Sequence, residues 1–311
     1  MAGAESGLDN QSTIKPSRLV LGTAQLGMDY GIANQTGQPD SARAQEVVQK
    51  AWEAGIREFD TAQGYGSSEQ VLGQALTELK KSRQALITTK LGHSLDLRGA
   101  DFRRSLEGSL KRLGVNRLAG LLLHKEEQLD FLDQGLEPVL KSFLDQGLVE
   151  RIGVSVYSPG RAIQALNNEL IEIVQLPANL LDHRFRKAGV FDLAREKEKL
   201  IYLRSVFLQG LLLMAPEHLP AGMVYARPML SEAGRLAKEM NLSRMQLTLG
   251  YVKLAYPRVK VLVGAETPDQ VRENIRIWSG SLDPGLVGRV EETFREVESK
   301  VLDPRLWPKE G

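Results

Sequence analysis

The sequence contains no cysteine among its 311 residues. This absence excludes a disulfide framework, a catalytic thiolate and a cysteine-ligated metal site. An excess of charge of one sign is also missing, because 40 Lys and Arg residues face 39 Asp and Glu residues, for a net charge of +1. Proteins that bind nucleic acid or membrane surfaces through bulk charge have a basic excess. We therefore expect neither of these partners.

Long hydrophobic runs are absent as well. No window reaches the ~18 consecutive apolar residues that a membrane-spanning helix needs, and residues 1–16 lack the apolar core of a secretory signal. These first residues are small and polar, which predicts a flexible N-terminal tail over 1–16 and a folded region over 17–311. With the lack of cysteine, these features lead us to expect a cytoplasmic protein.

Eight short apolar runs recur along the chain, each followed by a turn and an amphipathic stretch. Short, unbroken and often β-branched runs are typical of parallel strands buried on both faces, and the stretches between them have helical spacing. Eight such units over ~250 residues predict an α/β fold, a single (β/α)8 TIM barrel with a C-terminal helix over Val287–Leu302. The predicted strands are Leu19–Leu21, Ile56–Phe59, Leu86–Thr88, Leu118–Leu123, Ile152–Val154, Ile171–Leu176, Leu200–Leu203 and Val259–Val263.

Polar, titratable side chains follow three neighbouring strands of this predicted barrel. Asp60 and Tyr65 follow the second strand, Lys90 the third and His124 the fourth. Barrel active sites lie at the carboxyl ends of the strands, so we expect these four side chains to meet. A tyrosine hydroxyl can supply the proton that carbonyl reduction needs if a neighbouring ammonium lowers its pKa. A carboxylate keeps that lysine charged, and a histidine can orient the carbonyl oxygen.

The run from Asp60 to Glu69, DTAQGYGSSE, resembles the active-site signature of the aldo-keto reductase superfamily. Lys90 and His124 match the rest of that family's catalytic tetrad, and the resemblance extends from about Arg18 to Asn274. It implies a barrel that binds a nicotinamide dinucleotide, usually NADPH, without a Rossmann domain. It also implies hydride transfer to aldehydes and ketones, with the tetrad tyrosine as the proton donor.

The resemblance further implies which residues bind the nicotinamide end of the cofactor. Ser155 and Gln175 match the positions that hold the carboxamide, although the family often has Asn where this chain has Val156, so that Asn179 is an alternative donor. Arg204 stands where the family frequently has a tyrosine stacked on the ring, and a guanidinium can also stack on an aromatic ring. The other expected cofactor residues in this part are Gly22, Thr23, Ala24, Ser205, Phe207, Gln209 and Gly210, and the candidate for a substrate-pocket wall is Tyr30.

The turn after the eighth strand is the predicted phosphate site. It leads into a helix with Pro268 at its first position, where Thr267 and Gln270 form a capping box. A helix N-terminus after glycine suits a phosphate, and this end of a barrel is the usual phosphate site. The family binds the 2′-phosphate here with Lys and Arg, whereas this chain has Gly264, Ala265 and Gln270, so NADP(H) is expected with NAD(H) as the alternative. Arg272 is a possible substitute cation, and the positions that match adenine contacts are Glu273 and Asn274.

Two other functions remain open on the sequence. A dinucleotide-binding barrel can serve as a redox sensor or regulatory subunit with negligible turnover, and a non-redox isomerase or hydrolase can use Asp60, Lys90 and His124. A metal site is not expected, because the remaining histidines are far apart in sequence and lack H-x-x-x-H spacing. The sequence predicts a small carbonyl substrate but leaves its identity and the oligomeric state open.

Overall fold

The structure is a computed structural model that describes residues 18–92 and 99–308, with the backbone alone described for 99–101. The tail predicted over residues 1–16 lies outside the described residues, as does His93. None of the described helices is both long enough and apolar enough to cross a membrane.

Eight parallel strands close into a barrel in the order in which they occur along the chain. Each predicted apolar run contains or overlaps one of these strands, so the predicted (β/α)8 barrel is confirmed. Unbroken apolar runs identify such strands because helices cover their outer faces while the barrel interior covers their inner faces. The strands are β1 (Leu19–Gly22), β2 (Glu58–Asp60), β3 (Leu86–Lys90), β4 (Gly120–Leu123), β5 (Ile152–Ser155), β6 (Ile171–Pro177), β7 (Leu200–Arg204) and β8 (Lys260–Gly264).

Helices of very different length connect and follow the strands. The α-helices of the described residues are α1 (Ala24–Gly27), α2 (Ser41–Glu53), α3 (Ser68–Glu78), α4 (Gly99–Leu113), α5 (Leu136–Asp145), α6 (Pro159–Asn167), α7 (Arg184–Lys187), α8 (Val190–Glu196), α9 (Arg227–Glu239), α10 (Arg244–Ala255), α11 (Pro268–Ser279), α12 (Gly285–Thr293) and α13 (Ser299–Leu302). Short 3-10 helices lie at Glu126–Gln134, Leu211–Leu213, Pro216–His218, Ala221–Ala226 and Pro304–Leu306. The Asp40 carboxylate caps α2 by accepting from Arg43 N at 2.8 Å, as its sequence position predicts.

The helix predicted over Val287–Leu302 is divided in two, α12 and α13. Phe294 leaves the helical conformation at φ −113° and ψ 47° and is buried. Beyond this break, Lys187 Nζ donates to the carbonyl oxygen of Arg295 at 2.6 Å, and Val301 and Leu302 are also buried. Buried side chains therefore lie on both sides of the break.

The strand register decides which side chains point into the barrel. Residues paired between neighbouring parallel strands face the same side, and the side alternates at each residue. Val20, Leu122, Ile173 and Tyr202 form an interior layer. The same alternation gives the interior-facing positions at the carboxyl ends of the strands. These are Gly22, Asp60, Lys90, His124, Ser155, Gln175, Arg204 and Gly264. All eight are residues that the sequence predicts for the site, and they form the uppermost layer of the barrel interior.

Candidate active site

A buried ion pair lies at the mouth of the barrel. Lys90 Nζ is 2.5 Å from Asp60 Oδ1 and donates a second hydrogen bond to Thr61 O at 3.0 Å. Gln175 Nε2 donates to the other carboxylate oxygen of Asp60 at 2.7 Å. Asp60 and Lys90 are 2% and 1% exposed, and such buried charges persist only when they are paired and hydrogen-bonded. The pair is therefore a fixed and nearly neutral unit.

Two glycines hold the turn that presents Tyr65. Gly66 has φ +57°, and a Cβ atom there would overlap the carbonyl oxygen of Gly27. A Cβ atom at position 27 would in turn overlap the carbonyl oxygen of Tyr65. Ser67 N donates to Gly27 O at 3.1 Å, so the backbones of α1 and this turn are in direct contact. The glycine of the signature is therefore required by packing and by its left-handed backbone.

The four predicted catalytic side chains come together around Tyr65. Lys90 Nζ lies 4.9 Å from the centroid of the Tyr65 ring. The His124 ring meets the Tyr65 ring edge-on, with centroids 5.7 Å apart and an interplanar angle of 87°. Asp60 joins the group through its ion pair with Lys90. The Tyr65 side chain thus has a cation, a carboxylate and an imidazole in its surroundings.

The charges of the site act on the pKa of Tyr65 in opposite directions. Burial raises this pKa well above its usual range, the Asp60 carboxylate raises it further, and the Arg204 guanidinium lowers it. The sequence predicts that Lys90 is the cation that lowers it. Lys90 is tied to Asp60, and burial lowers its own pKa while Asp60 opposes that change, so its role in tuning Tyr65 stays a prediction. At neutral pH, Tyr65 is therefore an uncharged phenol that can donate a proton.

Arg204 is held by neutral oxygen atoms from β5 and from its own loop. Its Nε donates to Ser155 Oγ at 3.4 Å, and its terminal nitrogens donate to Val156 O at 3.1 Å and Ser205 Oγ at 3.2 Å. Ser155 is thus already in contact with Arg204 while its hydroxyl keeps hydrogen-bonding capacity for a ligand.

Arg204 also stacks on an aromatic ring. Its Cζ lies 3.9 Å from the centroid of the Tyr157 ring, and the Cζ of Arg305 lies 3.6 Å from the same centroid. Two guanidinium groups cannot both fit on one face at these distances, so they lie on opposite faces of the ring. Arg305 is paired with Asp303 at 2.7 Å. A three-layer stack therefore joins the barrel mouth to the C-terminal segment.

A cleft runs from this layer over the ends of β1 and β8 to the start of α11. Most of the expected cofactor residues line it, together with the Tyr30 of the expected substrate wall. These lining residues are Gly22, Thr23, Ala24, Tyr30, Asp60, Tyr65, Gln175, Arg204, Ser205, Phe207, Gln209, Gly210, Gly264, Gln270 and Asn274. The loops after β1 and β7 touch across the cleft, because a Cβ atom on Gly210 would lie 2.5 Å from Ala33 Cβ.

Several expected residues are not among those lining the cleft. Lys90, His124 and Ser155 act at its base through the contacts described above. Ala265 is buried beneath the turn, and the side chain of Glu273 pairs with Arg276 at 2.6 Å instead of reaching the cleft. Asn179, the alternative carboxamide donor, is used within its own turn, where its Oδ1 accepts from Leu181 N and Asp182 N.

The cleft also contains residues that the sequence does not assign to the site one by one. Gln25 follows the predicted Ala24 and covers the glycine at the end of β8, so its place directly after the first strand was a usable signal. Leu213 belongs to a 3-10 helix in the long loop after β7, which the sequence places at this end of the barrel, whereas Met245 belongs to α10 and no pattern in the sequence places it here. The lining residues not assigned individually are Gln25, Gly31, Ala33, Asn34, Val206, Leu213, Met245, Leu262 and Glu266, of which the residues after β1 and Leu213 lie in loops expected to shape the substrate pocket.

The start of α11 differs from the predicted phosphate site. Thr267 Oγ1 accepts from Gln270 N at 3.3 Å, and Val271 N donates to Thr267 O, while Pro268 has no N–H group. The Gln270 side chain does not complete the capping box, because its Oε1 accepts from Glu266 N at 2.7 Å and its Nε2 donates to Glu266 Oε2 at 2.8 Å. Few free amides and one fixed carboxylate therefore face this end of the cleft.

Two buried oxygen atoms test whether the cleft suits a dinucleotide. Gln175 Oε1 at the barrel mouth and Asn274 Oδ1 near α11 have no hydrogen-bond partner among the described residues. An unsatisfied buried acceptor is costly, so each of them favours a ligand that brings a donor. The amide of a nicotinamide and the amino group of an adenine are such donors. Both acceptors belong to residues that line the cleft, so the residues present fit the cofactor.

Comparison with known proteins adds an independent finding. The model of the Aldo/keto reductase family matches residues 18–294. An NADH-specific methylglyoxal reductase of Escherichia coli is 26% identical over 294 residues, which cover 83% of this chain and 89% of that protein. A D-threo-aldose 1-dehydrogenase of Pseudomonas sp is 29% identical over 239 residues, covering 65% of this chain and 71% of that protein.

Solved structures show the same fold. A glycerol dehydrogenase from Gluconobacter oxydans superposes with a TM-score of 0.72 at 24% identity, covering 89% of this chain and 91% of that chain. The holo form of an aldo-keto reductase from Bacillus halodurans has a TM-score of 0.73 at 22% identity, with coverage of 89% and 91%.

Proposed function

The chain belongs to the aldo/keto reductase family and is an NAD(P)-dependent oxidoreductase; we propose that it reduces an aldehyde or ketone with Tyr65 as the proton donor. The observation that carries the proposal is the meeting of Asp60, Tyr65, Lys90 and His124 at the barrel mouth. The names of the relatives support a small substrate, such as a short aldehyde or an aldose.

The proposed mechanism assigns one task to each side chain. A dinucleotide held in the cleft would supply a hydride for the carbonyl carbon. His124 orients the carbonyl oxygen toward Tyr65, whose hydroxyl gives its proton to that oxygen, so that an alcohol forms. The resulting phenolate is stabilised by the Lys90 ammonium and the Arg204 guanidinium until solvent returns the proton. Asp60 keeps Lys90 charged and in place.

Replacing the proton donor tests this proposal. Tyr65→Phe removes one hydroxyl and keeps the ring, so we expect kcat to fall at least about a hundredfold, as for loss of general acid catalysis. The Kd of the dinucleotide should stay within about twofold, since the ring and the cleft remain. Steady-state oxidation of NADH and NADPH over a panel of aldehydes measures kcat, and titration calorimetry measures the Kd of the dinucleotide.

The matched control removes the hydroxyl of a tyrosine outside the cleft, Tyr225→Phe, and should keep normal turnover. Retained turnover in Tyr65→Phe contradicts its role as the acid. Tight dinucleotide binding by the wild type with no turnover on any aldehyde favours the redox-sensor alternative, and a failure to bind any dinucleotide favours a non-redox enzyme.

We further propose that NAD(H) is preferred over NADP(H). The Glu266 carboxylate is held at the end of the cleft by Gln270, where it can accept a hydrogen bond from a ribose hydroxyl and repels a 2′-phosphate. Arg272, the possible substitute cation, is paired with Asp269 on the exposed side of α11. The NADH-specific relative is consistent with this preference.

The cofactor preference is tested by removing this charge. We expect kcat/KM for NADH to exceed that for NADPH by about tenfold or more, and Glu266→Gln to reduce the ratio severalfold by improving NADPH. Glu292→Gln, which removes an exposed carboxylate on α12 outside the cleft, should leave the ratio nearly unchanged. A wild-type preference for NADPH contradicts the proposal.

A further inference from the structure

The described residues that line the cleft include three with a formal charge, Asp60, Arg204 and Glu266. Asp60 is neutralised by Lys90, and Glu266 lies at the far end of the cleft on Gln270. The hydrogen bonds of Arg204 go to neutral oxygen atoms of Ser155, Val156 and Ser205 rather than to a carboxylate. The barrel mouth therefore has an uncompensated positive charge at Arg204.

This charge is permanent and its position is fixed. A guanidinium does not lose its proton at any pH at which the protein is folded. One face of it is covered by Tyr157, whose opposite face is covered by Arg305, and Asp303 holds Arg305 in place. Its neighbours Tyr30 and Tyr65 are uncharged at neutral pH, because burial raises the pKa of both hydroxyls. No described group at the barrel mouth cancels the charge.

The two redox forms of a nicotinamide dinucleotide differ chiefly in the charge of the ring. The oxidised ring is a cation and the reduced ring is neutral, while the phosphates, riboses and adenine are the same in both. Gln175 Oε1, which has no partner among the described residues, lies in the same part of the cleft as Arg204 and can accept a hydrogen bond from the nicotinamide amide. A fixed cation nearby therefore repels one form and leaves the other unaffected.

We propose that Arg204 makes this site bind the reduced dinucleotide more tightly than the oxidised one, with Tyr157 and Arg305 as positioning residues. The inference rests on the proposed dinucleotide binding and goes beyond it, because it assigns to one residue the discrimination between redox states. Its consequence is that the oxidised product is released readily, which favours operation in the direction of carbonyl reduction.

The test is the ratio of Kd for NAD⁺ to Kd for NADH, measured by titration calorimetry without a carbonyl substrate. Two unit charges about 10 Å apart at an effective dielectric constant of about 20 repel enough to change an equilibrium about tenfold. We therefore expect a ratio of about ten or more in the wild type. Arg204→Gln should lower it about tenfold, mainly through tighter binding of NAD⁺, and Arg204→Lys should largely preserve it.

Further variants separate charge from packing. Tyr157→Phe keeps the stacked ring and should preserve the ratio, whereas Tyr157→Leu leaves Arg204 unsupported and should lower it. Arg235→Gln removes an exposed cation far from the cleft that is paired with Glu232, and should leave the ratio unchanged. Thermal melting of each variant shows whether it is folded.

The outcomes distinguish this inference from the proposed function. A wild-type ratio of one or less overturns the inference whether or not the variants fold, while dinucleotide binding itself still stands. Equal weakening of NADH and NAD⁺ in Arg204→Gln also overturns it, because that result assigns Arg204 a purely structural role. If the wild type binds neither form, the proposed function fails together with the inference.

Discussion

Lys90 is a residue whose neighbours determine what its charge can do. Its ammonium is bound to Asp60 and Thr61 O, so from the Tyr65 hydroxyl the pair is nearly neutral. When Tyr65 loses its proton, however, the ammonium lies next to a phenolate. Lys90 therefore stabilises the phenolate that proton transfer leaves, and Arg204 favours the same form, since it lowers the pKa of Tyr65.

This view predicts the effect of removing the ammonium. Lys90→Met leaves Asp60 buried without its cation and leaves the phenolate without its neighbour, so we expect kcat to fall at least about a hundredfold. The pH dependence of kcat should also shift toward higher pH, because the pKa of Tyr65 rises further. Lys238→Met, on the exposed side of α9, is the matched control. A variant with a nearly normal pH–rate profile would exclude a role for Lys90 in tuning Tyr65.

At the scale of elements, the contact between α1 and the turn before α3 places the proton donor. The sequence signature identified Tyr65, but it did not explain why a glycine is needed both directly after Tyr65 and at the end of α1. Gly27 and Gly66 come from different elements and let two backbones touch. Buried hydroxyls of Thr23, Thr61 and Ser68, 2.8–2.9 Å apart, hold the same elements together beneath the turn.

Substitution at this contact should affect catalysis more than a comparable glycine elsewhere. Gly66→Ala combines a left-handed backbone with a clash against Gly27 O, so we expect a loss of roughly 1–3 kcal/mol in unfolding free energy and at least a tenfold lower kcat. Gly37→Ala is the matched control, because Gly37 has a similar φ of +69° but no atom lies within 4 Å of a Cβ atom placed there. It should show a smaller stability loss and a normal kcat. Urea unfolding and steady-state kinetics measure both, and equal effects of the two changes would disprove the importance of the contact.

For the molecule as a whole, buried tyrosines predict how stability changes at high pH. Burial raises the pKa of Tyr202, Tyr251 and Tyr256, each at most 6% exposed, while in the unfolded chain tyrosine titrates near pH 10. Above about pH 10, the unfolded state therefore binds fewer protons than the folded state, and stability falls as pH rises. Lys90 has the opposite effect on stability. Because burial lowers its pKa, the unfolded state binds more protons at this residue, and this contribution to stability rises with pH up to about pH 10.5, where lysine titrates in the unfolded chain.

We expect the unfolding free energy to fall by about 1.4 kcal/mol per pH unit for each of these tyrosines between about pH 10 and 12. Urea unfolding at intervals in this range measures the slope. Tyrosinate absorbance reports the titration separately and should rise together with unfolding. If these tyrosines ionise in the folded protein near pH 10, the absorbance rises before unfolding and the prediction is wrong.

The barrel and its catalytic layer were predictable because each depends on a local pattern. Apolar runs identify strands buried on both faces, and the residue at the end of each run faces the barrel mouth, so Asp60, Lys90 and His124 could be placed from their order alone. The division of the C-terminal helix at Phe294 was not predictable, because the helical spacing continues through it. The cytoplasmic location and the tail over residues 1–16 stay predictions.

The number and order of the strands and the residue types at their ends follow from the amino-acid sequence, because side-chain direction follows from the period of the backbone. Which charges remain uncompensated becomes visible only in the folded chain. Asp60 is bound by Lys90 and Gln175. Arg204 stacks on Tyr157, and the other face of that ring contacts Arg305, about a hundred residues further along the chain than Arg204. Such pairings depend on distances between separate elements, and in a buried site these distances decide whether a charge is cancelled or acts on a ligand.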